Sequence, residues 1–167
     1  MSSLIGANTA IIPGEIITLP EEGVKRPDAL TGDVIEKGSI IFNDFGNANP
    51  ALRAWKVPGT TGAERGPFGL AVTKKLTGKL KVDAILKGKG TVVAGGAIPG
   101  GAYVKPSVTT AGAVDALVVT GTTPDPTDIC CGMYVKLAKY ANSNDGNHAL
   151  AAAQPGDIIV IDLDKKA

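Results

Sequence analysis

The chain has little of what enzymes and metal proteins are commonly built on. Its 167 residues contain one histidine, His148, and two cysteines, Cys130 and Cys131. Any serine–histidine or cysteine–histidine scheme would have to run through His148. That residue sits in an Asn-, Gly- and Ala-rich stretch, and no G-x-S-x-G element occurs anywhere. It reads as a loop histidine. A zinc site needs roughly four nitrogen or sulfur ligands at motif spacing, which one histidine and a vicinal cysteine pair do not supply. Adjacent Cα atoms lie about 3.8 Å apart, closer than the usual disulfide range. Two buried free thiols made in a reducing cytosol are therefore expected, on strand residues facing opposite sides. Charge is scarce too: 20% of residues, with a net charge of +1. No long-range field steers the chain towards nucleic acid or an anionic membrane. The start, MSSLIGANTA, has no basic segment followed by an apolar run, so no signal peptide is expected. No stretch approaches the roughly 18 apolar residues of a membrane span.

What the chain has in plenty is punctuation. Its 22 glycines and 11 prolines make up about a fifth of the residues, against roughly 12% in average usage. Proline breaks helix interiors and glycine supplies positive-φ turn positions. The prolines are spaced so that several long helices do not fit between them, whereas many short strands do. Apolar residues at 44% allow one real core, and the length suits a single domain.

Along the chain, residues 1–12 read as an extended arm and 13–167 as one β-barrel-like domain. A first strand is expected at residues 15–19 (EIITL). Residues 33–42 read as two apolar pieces joined by a turn at Lys37-Gly38, and residues 43–67 as a long loop carrying the only tryptophan, Trp55. Residues 68–73 (FGLAVT) read as a strand. Residues 79–89 alternate: Leu80, Val82, Ala84 and Leu86 fall on one face and lysines and Asp83 on the other, with only Ile85 out of step. Period two predicts a strand, or hairpin arms, with one wet face. Short strands follow at residues 91–94, 102–105, 116–120 and 129–137. Residues 148–153 (HALAAA) have room for one or two helical turns before Pro155. Residues 157–163 (DIIVIDL) read as an apolar strand whose acids, Asp162 and Asp164, share an outward face. This spacing predicts an all-β, Gly/Pro-rich barrel or sandwich with long loops.

Motifs with chemical meaning do not survive inspection. The glycine-rich stretch 88–101 lacks both phosphate-loop and dinucleotide patterns, and its flanks are strands rather than a helix N-terminus. Six lysines between Lys74 and Lys89 have no interleaved aromatic for bases to stack on. They read as a solvated strand face that discourages edge-to-edge aggregation. The carboxylate pairs Glu21/Glu22 and Asp162/Asp164 read as surface charges. Seven aromatics in the whole chain are few for a sugar platform. No catalytic, cofactor-binding or metal-binding residue is assigned, and the chain reads as non-catalytic.

The order of segments from Gly32 to Leu163 resembles a family of small tailed-phage proteins that decorate the outside of heads. The resemblance rests on G-x-V-I-x-x-G at Gly32 to Gly38, Phe68-Gly69-Leu70-Ala71 and Gly90-Thr91-Val92. It continues through Pro99-Gly100-Gly101-Ala102-Tyr103, a Thr/Gly stretch at residues 109–114, Cys131-Gly132 and a final apolar strand ending at Leu163. About four-fifths of the chain is covered. The resemblance implies a small β-barrel that cements an assembled lattice of major capsid protein, commonly as a homotrimer. It also implies residence on the outer capsid surface of the virion after synthesis in the host cytoplasm. The loop at residues 43–67 and the extra residues 142–153 depart from the family's pattern. Another virion role (minor capsid, tail or fibre base), a cellular β-barrel ligand-binding module and a small hydrolase remain the alternatives. Candidate interface residues are Leu4, Ile5, Ile11 and Ile12 in the uncharged arm, with Phe45 and Trp55 in the long loop. No cofactor, nucleic-acid or membrane partner is expected.

Overall fold

A computed structural model of the chain describes residues 24–60, 67–118, 130–140 and 151–165. Four strands form the first sheet: β1 (Ile40–Asn43), β2 (Trp55–Lys56), β3 (Phe68–Ala71) and β4 (Ala84–Ile85), in the order β2-β1-β3-β4. Every pair is antiparallel, with Ile40 opposite Leu70, Phe42 opposite Phe68, and Leu70 opposite Ile85. That register divides the side chains between two cores. Ile40, Phe42, Phe68, Leu70 and Ile85 point one way into the larger core. Ile41, Ala71 and Ala84 point the other way, into a smaller core with Ala29, Ile35 and Val82.

The edges of this sheet are taken up by the chain that precedes it. Lys25 bridges Ala84 at the outer edge of β4, Asp28 bridges Lys81, and Ala29 bridges Trp55 in parallel at the outer edge of β2. Residues 25–29 thus pair with both edges of the sheet, with β4 at one end and with β2 at the other. The backbone groups of both edges are used: Ala84 N–H donates to Lys25 O at 2.9 Å and Trp55 N–H to Asp28 O at 2.9 Å. Glycine is required at position 69 because a Cβ there would stand 2.7 Å from Leu86 Cδ2 and 3.0 Å from the Ile85 carbonyl oxygen.

The second sheet holds β5 (Lys89–Val93), β6 (Tyr103–Pro106), β7 (Val114–Ala116), β8 (Gly132–Leu137) and β9 (Ile158–Asp162), in the antiparallel order β5-β9-β8-β6-β7. Val92, Val104, Val114, Tyr134, Ile159 and Ile161 pack from it against the face of the first sheet that carries Ile40, Phe42, Phe68, Leu70 and Ile85. Each such side chain contributes roughly 1.5–3 kcal/mol when fully buried. Tyr134 pairs with Ile161 but Leu137 with Ile159, three residues against two. The extra residue is a β-bulge that keeps both Tyr134 and Leu137 facing inward. The sheet curls until its outer strands nearly meet, touching at one parallel bridge from Ala94 to Val114. The architecture is therefore all-β and sandwich-like, two antiparallel sheets around one main core, with no continuously closed barrel.

Several expectations need correction. The alternation over residues 79–89 does not make one half-wet strand. Leu80 is 60% exposed, while Ala84 and Ile85 are both buried because β4 lies between the two cores. Lys75 does not belong to a solvated lysine face; it is buried and its Nζ donates to the Asp33 carbonyl oxygen. Residues 151–153 are extended, not helical: Ala153 forms an antiparallel bridge with Ile98. Asp162 is buried rather than outward, its Oδ1 accepting the Asp164 N–H at 3.0 Å. Cys131 is buried but Cys130 only half-buried, and neither forms a disulfide; their thiols donate to Val104 O and Gly132 O respectively, each at 3.3 Å. The expected strand at residues 15–19 and the arm at residues 1–12 lie outside the described residues.

Two predictions follow from the packing. A Cβ at Gly132 would stand 2.8 Å from the Asp162 carbonyl oxygen, a backbone atom held in the sheet. Gly132→Ala is expected to lower stability by about 1–3 kcal/mol, read as a lower denaturant midpoint at unchanged slope; an unchanged midpoint would contradict this packing. Tyr134 is fully buried and its hydroxyl donates to the Ala151 carbonyl oxygen at 2.7 Å. Burial, with a smaller contribution from the charge of Asp157, pushes its pKa up from 10.0 to about 12. The folded state thus holds the phenolic proton more tightly than the unfolded chain. The resulting stabilisation is complete below the unfolded value and lost as pH rises from about 10 towards 12. Tyr134→Phe should flatten this alkaline limb of the stability profile, at a loss of about 1 kcal/mol at neutral pH for the missing hydrogen bond.

Candidate functional site

The stretch between β1 and β2 reads in sequence as part of a long loop, yet it is braced from within. Asp44 anchors it: its N–H donates to Ala54 O at 3.1 Å, closing the loop's base. Its Oδ2 accepts from Lys56 Nζ at 2.6 Å and from Asn47 Nδ2 at 2.9 Å. Asn47 Oδ1 accepts the Asn49 N–H at 2.9 Å, and Asn49 Oδ1 accepts the Ala51 N–H at 3.1 Å. The second of these caps a 3-10 turn at Pro50–Leu52 whose first residue is a proline, needing no N–H. Arg53 Nε returns to the Asn47 carbonyl oxygen at 2.8 Å. Short Asx side chains satisfying nearby backbone are the reason this sequence holds one shape.

The electrostatics agree. The hydrogen bond from Lys56, then that from Asn47, holds the Asp44 carboxyl below its ordinary range, so it is ionised at neutral pH. The Lys56 ammonium also lies 5.8 Å from the centroid of the Phe42 ring, within reach of a cation–π attraction. The brace is therefore tied to the core through β1.

At the top of this loop stands Phe45, 71% exposed, with Leu52 at 41% on the same loop. An aromatic ring in water on a preformed loop has already lost much of the conformational freedom that binding would remove. The chemistry on offer is recognition of an apolar pocket. Trp55, named with Phe45 from sequence, is placed differently: it is half-buried in β2 and packs against the smaller core. The structure therefore does not bring Phe45 and Trp55 together as one exposed patch. Leu4, Ile5, Ile11, Ile12 and His148 lie outside the described residues.

Sequence reading missed a wider pattern. Eight large apolar side chains are exposed among the described residues, and only Val108 and Val118 flank strands of the second sheet. Val24, Val34, Phe45, Leu52, Leu76 and Leu80 lie on the first sheet or the segments built on it. Asx spacing at Asp44, Asn47 and Asn49 was the available signal for the braced loop. No signal announced the exposure of Val34 and Leu76, because it follows from their sitting beside buried Ile35 and Lys75 in the cross-strand register.

No group of three or more His, Cys, Asp or Glu side chains placed to hold a metal ion occurs among the described residues. No helix among them is long and apolar enough to cross a membrane. Comparisons with protein-family models, curated proteins and solved structures find no match to this chain.

If Asp44 is the anchor, its removal should loosen the loop and leave the fold standing. Asp44→Ala is expected to speed amide exchange at Asn47, Ala51 and Arg53 with little change at Leu70 or Ile161. Acid should act the same way on the native chain. The lowered Asp44 pKa means its contribution is present above the usual carboxylate range and is lost as pH falls through the folded value. Loop amides as slow in the variant as in the native chain would contradict the anchoring role.

Proposed function

We propose that this protein is a capsid decoration protein, which attaches to an already assembled head lattice and stabilises it. The observation that carries the reading is Phe45, an exposed ring on a cross-braced loop, among first-sheet segments that hold six of the eight large apolar side chains exposed among the described residues. The segment-by-segment resemblance to head-decorating phage proteins supports the same reading. So does the all-β fold that the resemblance implies.

The mechanism is linkage. A protein that binds the assembled lattice better than free capsid subunits stabilises assembly by roughly RT ln(1 + [L]/Kd) per site. With backbone groups at both edges of the first sheet already paired, attachment runs through side chains rather than by strand addition. A homotrimer is the proposed bound form, since closed symmetry repeats identical contacts. The uncharged arm with Leu4, Ile5, Ile11 and Ile12 is proposed to order on a lattice neighbour.

Copurification with virus-like particles at a fixed stoichiometry tests the reading. Phe45→Ser is expected to keep the unfolding free energy within about 0.5 kcal/mol and to weaken particle attachment about tenfold or more. Deleting residues 1–10 should weaken attachment several-fold, again with the unfolding midpoint nearly unchanged. A chain that never copurifies with particles, or a Phe45→Ser variant that binds as tightly as the native chain, would overturn it.

A further inference from the structure

The segments that close over the first sheet form a two-armed ribbon. Residues 25–35 run antiparallel to residues 75–84, with Ile35 opposite Lys75. Both of these are buried, so the residue pairs on either side turn outward. One is Lys74 with Glu36, an exposed ion pair at 2.8 Å. The other is Val34 with Leu76, 48% and 54% exposed, and Leu80 on the same arm is 60% exposed. These three exposed aliphatic side chains on one ribbon offer apolar surface to a partner.

Its charge states what kind of molecule. Residues 24–37 and 74–89 carry nine Lys and Arg against four Asp and Glu, an excess of five in a chain whose total is +1. Three of the four carboxylates are engaged within the ribbon and its margins: Asp28 by Lys81, Glu36 by Lys74 and Asp83 by Arg26. Lys25, Lys37, Lys79 and Lys87 are exposed and have no acidic partner among the described residues.

We infer that this ribbon docks an acidic protein surface with an aliphatic centre. Carboxylates of the partner meet the rim lysines, and its apolar centre covers Val34, Leu76 and Leu80. Nucleic acid fits less well, because neither arm holds an aromatic side chain for a base to stack on. The inference deepens the attachment reading and rests on it for where such a surface is found, while the chemistry comes from the ribbon itself.

The test uses the isotope-labelled full chain and a short soluble peptide of alternating Glu and Leu as the probe. The expected result is amide shifts concentrated at residues 33–37 and 74–81. Affinity should fall at least about fivefold between about 0.05 M and 0.5 M ionic strength. Leu76→Ser and Lys79→Glu should each weaken the peptide several-fold with the fold's spectrum intact. Shifts elsewhere, no shifts, or salt-independent binding would overturn the inference. So would a stronger response at these residues to single-stranded DNA or to vesicles rich in phosphatidylglycerol. Concentration-dependent broadening of the same amides without peptide would overturn it in favour of a second copy of the chain. Because no particle enters this experiment, its failure leaves the attachment reading standing, and a failure of particle binding leaves this result standing.

Discussion

The fold depends on burying the first sheet on both faces at once. In β3 all four residues, Phe68 to Ala71, are inaccessible, which no two-layer arrangement with one wet face allows. Ile40, Phe42, Phe68, Leu70 and Ile85 on one face meet the second sheet, and Ile41, Ala71 and Ala84 on the other pack with Ala29, Ile35 and Val82. A Cβ at position 69 would press on Leu86, on the Ile85 carbonyl oxygen and on Trp55.

The edge pairing of the first sheet has a consequence as well. Residues 25–29 take up backbone groups at the edges of β2 and β4, where strand pairing with another chain would otherwise be invited. What the molecule presents on this side is instead side chains on braced backbone: Phe45 above the Asp44–Lys56–Asn47 cluster, and Val34 and Leu76 beside the Lys74–Glu36 pair. Rigid backbone with exposed apolar tips is the arrangement in which association loses least conformational entropy.

Much of the fold was legible in residues and turns. Glycine and proline spacing gave the all-β class, and FGLA and DIIVIDL located β3 and β9. The failures have physical causes. Alternation in residues 79–89 assigns one face to water only if the sheet has one dry side, and β4 has two. Lys75 is buried because its stem lines the closed ribbon while its ammonium finds a backbone carbonyl, a pairing invisible in sequence. HALAAA has helical composition, but residues 151–153 are drawn straight by Ile98 and by the Tyr134 hydroxyl. For the site, Phe45 was found as an aromatic in a long loop. Trp55 was drawn into β2 by pairing with Asn43 and Ala29, and the Val34–Leu76 pair emerged only from cross-strand register.

The proposed attachment runs through the segments built on the first sheet. Amide hydrogen exchange of the full chain, free and mixed with virus-like particles, distinguishes this from attachment elsewhere. New protection should appear at residues 44–53 and along 33–37 and 74–81, with exchange around Val108 and Val118 unchanged. Protection confined to the second-sheet segments around Val108 and Val118, with the Phe45 loop and the ribbon exchanging as in the free chain, would contradict it.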